Sequence, residues 1–292
     1  MKPAPFRYVA PDSLDEALEL AAGHEFDAKL LAGGQSLIPA MNFRLAQPAL
    51  LIDLNRIEGL SYIRQDADTG GLRIGAMTRQ RQAEESQLVA RQAPLIHQAL
   101  PYVAHVQIRN RGTMGGSLAH ADPAAELPAV LLALQARFRL QSRQGERWVE
   151  AQDFFTGLFE TALAPEEILT EIEVPPLPSR SGCAFAEFAR RHGDYALAGV
   201  AAQVTLDEAG ACSRCRLVLL SVGEGPVEAK QAQGSLTGHR PQPEVLSQAA
   251  QLAACNDIDP QGDIHASVDY RRHLVRVLAE RALKQAFERA AG

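Results

Sequence analysis

Two glycine pairs of nearly the same wording are the residues best suited to chemistry: Gly33-Gly34-Gln35-Ser36-Leu37 near the start and Gly115-Gly116-Ser117-Leu118 well downstream. Adjacent glycines let a backbone approach a ligand closely and take φ values closed to other residues. Successive N–H groups in a tight turn form an anion-binding concavity, and a following helix N-terminus adds about half a positive charge. Such loops suit phosphate oxygens, and a diphosphate has two phosphates to hold. Neither loop reads G-x-G-x-x-G and no Gly-Lys-Ser/Thr triplet occurs, so the two commonest nucleotide loops are excluded.

Other chemistry is sparse. Cys212 and Cys215 form a C-x-x-C, but metal binding needs a second ligand pair and redox use needs a thioredoxin-like helix start. Beside the strand-like Leu217-Val218-Leu219-Leu220 they read as incidental. Cys183, Cys212, Cys215 and Cys255 lack iron–sulfur spacing, so any such cluster must lie on a partner chain. His120 reads as a structural histidine without a partner triad. No catalytic residue and no metal ligand is assigned.

The elements that must position these loops can be traced along the chain. Ser13 with Glu16 makes a capping box that opens a helix over Pro11 to Ala22. Ala28 to Ala32 is a short buried strand delivering the first loop, and Ala49 to Leu54 a second strand with Asp53 at its end. The turn Asp66 to Gly71 leads into strand Leu72 to Gly75, after which Thr78 is expected to cap a short helix. Leu95 to Val103 is expected to be helical. Asp122-Pro123 can cap the next helix, which either starts near Pro128 or has an irregular first turn. Ile168 to Val174 alternates, with Ile168, Thr170, Ile172 and Val174 on one face, and Pro175 to Gly182 follows as the best linker. Downstream, Ala196 to Leu206 and Cys215 to Val222 flank a hairpin turn at Asp207 to Gly210. The last helix, Tyr270 to Arg289, places Leu274, Val277, Leu278 and Ala282 on one stripe with arginines around it.

The stretches LLAGGQSLIP (Leu30 to Pro39) and RGTMGGSLAHADPAAELP (Arg111 to Pro128) resemble the FAD-binding subunit or domain of the molybdenum hydroxylases. That family includes the medium subunit of carbon monoxide dehydrogenase and the flavin domain of xanthine dehydrogenase, within the wider vanillyl-alcohol-oxidase-like fold. RRHGDYALAGV (Arg190 to Val200) and ASVDYRRHLVRVLAERAL (Ala266 to Leu283) resemble its later blocks, so the similarity runs nearly end to end. It implies an α+β fold: a two-lobed FAD-binding domain of the PCMH type over residues 1–177, with lobes of about 1–58 and 59–177. A C-terminal α+β domain with an antiparallel sheet and packed helices follows over 183–289.

By the same resemblance, Lys29, Leu30, Leu31, Ala32, Gly33, Gly34, Gln35 and Ser36 contact FAD, as do Thr113, Met114, Gly115, Gly116 and Ser117. The amides of Gly33, Gly34, Gln35, Gly115 and Gly116 are expected at phosphate oxygens, with the hydroxyls of Ser36, Thr113 and Ser117 adding bonds. Asp122 and Glu126 are either helix-start carboxylates or the family's acidic contact to the flavin's sugar-like chain. Leu169 is either core or the apolar residue against the flavin ring. Tyr195 is either a half-buried strand tyrosine or the aromatic that covers the isoalloxazine. The lysine some members carry just upstream is missing from Phe185-Ala186-Glu187-Phe188.

At 292 residues, 46% hydrophobic and 22% charged, the chain has the composition of a soluble globular protein. Its net charge of -6 gives no general reason to bind nucleic acid or an anionic membrane. No apolar run approaches a membrane span and MKPAPFRYVAP lacks a signal-peptide core, so a cytoplasmic location is expected. The resemblance implies noncovalent FAD that relays electrons to an external acceptor. Partners would be a small subunit with [2Fe-2S] clusters and a large subunit with the molybdenum cofactor, in a heterotrimer or its dimer. The rival readings are a self-contained FAD oxidoreductase and a non-catalytic nucleotide-binding module.

Overall fold

Helix α1 (Leu14–His24) begins where the capping box puts it: Ser13 Oγ accepts the Glu16 N–H at 3.2 Å, and the Glu16 carboxylate accepts the Asp12 N–H at 3.3 Å. The computed structural model describes residues 2–24 and 27–292. Strands β1 (Arg7–Val9), β2 (Ala28–Leu31) and β3 (Leu50–Asp53) form a parallel sheet in the order β1-β3-β2, with α2 (Leu37–Asn42) between β2 and β3. Ala17, Leu18 and Ala21 of α1 bury against Leu50 and Ile52. Met77 and Ile168, from much later in the chain, complete this first core.

The second unit is built on an antiparallel sheet. Its first strands β4 (Ile63–Gln65) and β5 (Leu72–Gly75) precede six helices: α3 (Gln80–Glu85), α4 (Gln87–Gln92), α5 (Pro94–Ala99), α6 (Val106–Arg109), α7 (Met114–His120) and α8 (Glu126–Ala133). Then come β6 (Arg137–Ser142), β7 (Gly145–Glu150), α9 (Ala151–Phe154), the small hairpin β8 (Phe155–Gly157) and β9 (Glu160–Thr161), and β10 (Ile168–Val174). The sheet order is β4-β5-β10-β6-β7. All eight residues of α8 are buried. Pro128 is its third residue, where a helix leaves the N–H without an intrahelical acceptor, so the proline costs no bond.

Two local expectations are corrected here. Thr78 does not cap α3, whose N-cap is Arg79; the Thr78 hydroxyl bridges the Tyr62 backbone, donating to its carbonyl at 2.9 Å and accepting its N–H at 3.1 Å. The alternation of β10 is broken by a bulge, because Leu169 pairs with Leu140 and Glu171 with Arg139, leaving Thr170 as the extra residue. Ile168 therefore enters the first core, while Leu169, Ile172 and Val174 share the second.

The C-terminal part is the antiparallel sheet β11 (Ser181–Ala189), β12 (Ala196–Leu206), β13 (Cys212–Leu220) and β14 (Val227–Glu228), followed by α10 (Lys230–Leu236), α11 (Pro243–Cys255) and α12 (Val268–Ala291). One face of this sheet packs under α11 and α12. The other, through Cys183, Phe185, Ala201, Val218 and Leu220, joins the core around α8. Val277 lies at the half-buried margin of the α12 stripe, whose core-facing members include Leu274, Leu278 and Ala282. Arg271 lies within that stripe, donating to the carbonyls of Leu197 at 2.6 Å and Ser221 at 3.0 Å and pairing with Asp263. Cys212 and Cys215 are both buried in the apolar core, and burial pushes the Cys212 thiol up to about 11.

Candidate functional site

The first glycine loop leaves β2 with its donors free. Leu30 and Ala32 pack toward the first core, while Lys29 is exposed on the opposite face. Gly34 takes φ +72°, a left-handed conformation that favours glycine, and the Gln35 side chain folds back to donate to the Gly33 carbonyl at 2.9 Å. The N–H groups of Gly33, Gly34, Gln35 and Ser36 have no acceptor among the described residues. Ser36 is exposed, and its hydroxyl makes no cap bond to α2.

The second loop is arranged differently. Residues 76–80 run antiparallel to residues 112–115, so that Gly115 donates to the Ala76 carbonyl at 2.8 Å, Met114 to Thr78 at 2.9 Å, and Gln80 to Gly112 at 2.8 Å. Thr113 caps α7, its Oγ1 accepting the Gly116 N–H at 3.0 Å, and Ser117 N–H reaches the Thr113 carbonyl at 3.3 Å. The expectation that the Gly115 and Gly116 amides meet phosphate is therefore corrected: both are already satisfied within the protein. These glycines serve close packing instead. A Cβ on Gly115 would lie 2.5 Å from that of Ala76, and one on Gly116 would lie 2.6 Å from Thr113 Oγ1 and 3.4 Å from the Ala32 Cβ.

The two loops touch. A Cβ on Gly33 would lie 2.4 Å from the Arg111 carbonyl oxygen and 2.7 Å from the Gly112 Cα. Around this contact lie side chains that sequence reasoning missed. Asn55 Nδ2 donates to the Ala32 carbonyl at 2.9 Å, and Asn55 Oδ1 accepts from Arg79 at 2.5 Å. Arg79 also donates to the Arg111 carbonyl at 2.5 Å. Asp53 accepts from the Asn55 backbone at 2.9 Å and from the Tyr8 hydroxyl at 2.6 Å. Nothing in the local sequence marks Asn55 or Arg79, whose partners are 23 and 32 residues away.

A second group lies past the far end of α7, a seven-residue helix about 10 Å long. Asp122 Oδ1 accepts the Ala124 N–H at 2.9 Å and shapes the turn into α8. Glu126, the first residue of α8, is 8% exposed, and burial pushes its carboxyl up to about 7, with Asp122 adding to the rise. Tyr195 is 67% exposed, on a turn made by Gly193 at φ +80° and fixed by Asp194, whose Oδ1 accepts the Tyr195 N–H at 3.1 Å. Partial burial, then the charges of Asp122 and Glu126, raise the Tyr195 hydroxyl above its usual range, so the three share one electrostatic neighbourhood. Glu187 belongs with them and was also missed: burial and the Glu126 charge push it up to about 8, and its Oε2 is buried without a partner.

Leu169 is buried, with its side chain in the second core. Its neighbour Thr170 accepts the Ala76 N–H at 3.0 Å, which ties β10 to the strand that holds the second loop.

A family model described as the FAD binding domain in molybdopterin dehydrogenase matches residues 4–177, and one described as the CO dehydrogenase flavoprotein C-terminal domain matches residues 183–286. The chain belongs to the FAD-binding medium subunits of the molybdenum hydroxylases, a family of oxidoreductase subunits. It is 46% identical to the 6-hydroxypseudooxynicotine dehydrogenase complex subunit alpha of Paenarthrobacter nicotinovorans, over 99% of this chain and 97% of that one. It is 38% identical to the carbon monoxide dehydrogenase medium chain of Hydrogenophaga pseudoflava, over 100% of both. Among solved structures, the carbon monoxide dehydrogenase of Hydrogenophaga pseudoflava matches with a TM-score of 0.95 at 38% identity over 99% of each chain. Quinoline 2-oxidoreductase from Pseudomonas putida 86 matches with a TM-score of 0.94 at 38% identity over 100% of each.

Proposed function

We propose that this chain holds one FAD noncovalently at the two glycine loops and serves as the electron-transfer subunit of a molybdenum-containing hydroxylase. The observation that carries this reading is the run of four unpartnered N–H groups from Gly33 to Ser36, opening beside the second loop. Such a run suits the oxygens of a diphosphate. Gly33, Gly34, Gln35 and Ser36 would hold the diphosphate through their N–H groups. The Ser36 and Ser117 hydroxyls would add donors, and the Thr113 hydroxyl, which accepts from Gly116, still has its own proton to donate. Asp122, Glu126 and Tyr195, about one helix length away, would flank the flavin end. Bound FAD supplies the redox chemistry, accepting electrons and passing them on.

Neither glycine loop contains a His or Cys for a covalent flavin link. Residues 1–177, in lobes of about 1–58 and 59–177, would form the FAD-binding domain, and 183–289 the C-terminal one. Electrons would arrive from [2Fe-2S] clusters on a small subunit, with substrate oxidised at a molybdenum cofactor on a large subunit, in a cytoplasmic heterotrimer or its dimer. Relatives of similar length bear names as different as nicotine 6-hydroxylase and glyceraldehyde dehydrogenase, which supports a task common to all of them and leaves substrate choice to a partner. Among the described residues no helix is long and apolar enough to cross a membrane. Purification from the native cell by a tag on this chain tests the reading: FAD, iron and molybdenum should co-purify. Recovery of this chain alone with substrate turnover intact would favour a self-contained oxidoreductase.

A further inference from the structure

The two glycine loops come from separate units of the fold, roughly eighty residues apart in sequence, yet the free N–H groups of the first can be aimed only if it stays in place against the second. Backbone contact alone does not secure this. Gly33 meets Arg111 and Gly112 through van der Waals approach, and no backbone hydrogen bond joins the first loop to the second among the described residues. The connection runs through side chains. Asn55 Nδ2 holds the Ala32 carbonyl, the last before the first glycine pair. Asn55 Oδ1 takes one arm of the Arg79 guanidinium, and the other arm holds the Arg111 carbonyl, just ahead of the second loop. Asp53, anchored by Tyr8, orients Asn55 from the end of β3, and the backbone of Arg79 lies in an isolated antiparallel bridge with Thr113.

We propose that Asn55 and Arg79 are the positioning residues of the diphosphate cradle: together they form one strap, from the Ala32 carbonyl to the Arg111 carbonyl, that keeps the first loop's N–H groups aimed where the second loop closes the site. The inference rests on the FAD reading above. A strap in series makes a specific demand, because cutting it at either residue loses the whole link. The guanidinium is needed for its fork geometry as well as its charge, since one planar group must reach two acceptors in different directions.

The test is a double-mutant cycle on the full chain, stripped of flavin and titrated with FAD by fluorescence quenching. The variants are Asn55→Ala, Arg79→Met, their combination, and Arg79→Lys, with urea unfolding of each apoprotein run alongside. Each single variant is expected to raise the FAD dissociation constant at least tenfold, about 1.4 kcal/mol. The double variant should be little worse than either single one, and Arg79→Lys, which keeps the charge, should fail to rescue. The visible spectrum of the bound flavin should stay that of the parent, because the strap acts at the diphosphate end. Dissociation constants equal to the parent's, losses that add in the double variant, or full rescue by lysine would each overturn the strap. A parent chain that binds no FAD would overturn the FAD reading instead. If Arg79→Met does not fold, the comparison of Asn55→Ala with Arg79→Lys still decides, since the strap requires both to lose affinity.

Discussion

Gly115 stands against Ala76 with no room for a side chain: its N–H donates to the Ala76 carbonyl at 2.8 Å, and a Cβ on it would come within 2.5 Å of the alanine's own. The glycine is there so that the second loop can run as a partner strand beside residues 76–80.

A side chain at position 115 should therefore destabilise the fold and not merely empty the site. Gly115→Val forces backbone and the Ala76 methyl apart, and overpacking of this kind costs about 1–3 kcal/mol or more. Gly34→Ala should behave differently. Its left-handed φ makes it strained by roughly 1–2 kcal/mol, but its Cβ meets only side-chain atoms, Ile38 Cγ1 and Leu31 Cδ1, at 3.1 Å. Urea denaturation of the two apoproteins and FAD titration of Gly34→Ala check the contrast: the second variant should fold and bind FAD more weakly.

Glu126 predicts a pH dependence with a definite sign. Its folded carboxyl is raised to about 7 from an ordinary value of 4.5. Between those values the folded chain keeps the Glu126 proton and the unfolded chain releases it, so the contribution of Glu126 to stability falls as pH rises from about 4.5 to about 7 and is level above. The full fall is on the order of 3 kcal/mol. Comparing the parent apoprotein with Glu126→Gln by urea unfolding across this range should show a steeper fall in the parent, the fall left in the variant being that of buried Glu187. Parallel curves would mean that Glu126 is ionised in the folded chain.

Tyr195, being 67% exposed, has little packing to lose. Tyr195→Ala should change stability by no more than about 0.5 kcal/mol. If its ring covers the isoalloxazine, the same variant should alter the flavin's visible spectrum and its reoxidation rate while keeping most of the FAD affinity. Unchanged reoxidation would remove the gate role and leave a surface tyrosine.

Flavin should leave the protein without breaking a bond. Acid or heat followed by chromatography is expected to release FAD from the holoprotein, and colour that stays with the denatured polypeptide would contradict noncovalent binding.

The sequence made the first loop legible because its cause is local: a capped helix, a short apolar strand, paired glycines and a following helical turn are all contiguous. The position of the second loop was equally plain. What could not be read was where the Met114 and Gly115 N–H groups point, because their acceptors, Thr78 and Ala76, lie some forty residues upstream and join the loop only through long-range pairing. Asn55 and Arg79 escaped for the same reason. Nothing in Phe185-Ala186-Glu187-Phe188 marks Glu187, and only the packing of the C-terminal sheet against the region of α8 leaves its Oε2 buried without a partner.

The bulge at Thr170 makes the length of β10 unusually hard to change. Ile168 and Leu169 are consecutive, yet each closes a different core, and the carbonyl of Thr170 between Leu169 and Glu171 supports Ala76 and, through it, Gly115. Removing or adding one residue here would exchange inside for outside on one side of the bulge and shift the floor of the second loop in the same step. During divergence, then, insertions and deletions should be tolerated in the irregular run from Pro175 to Arg180 and purged from the seven residues just before it.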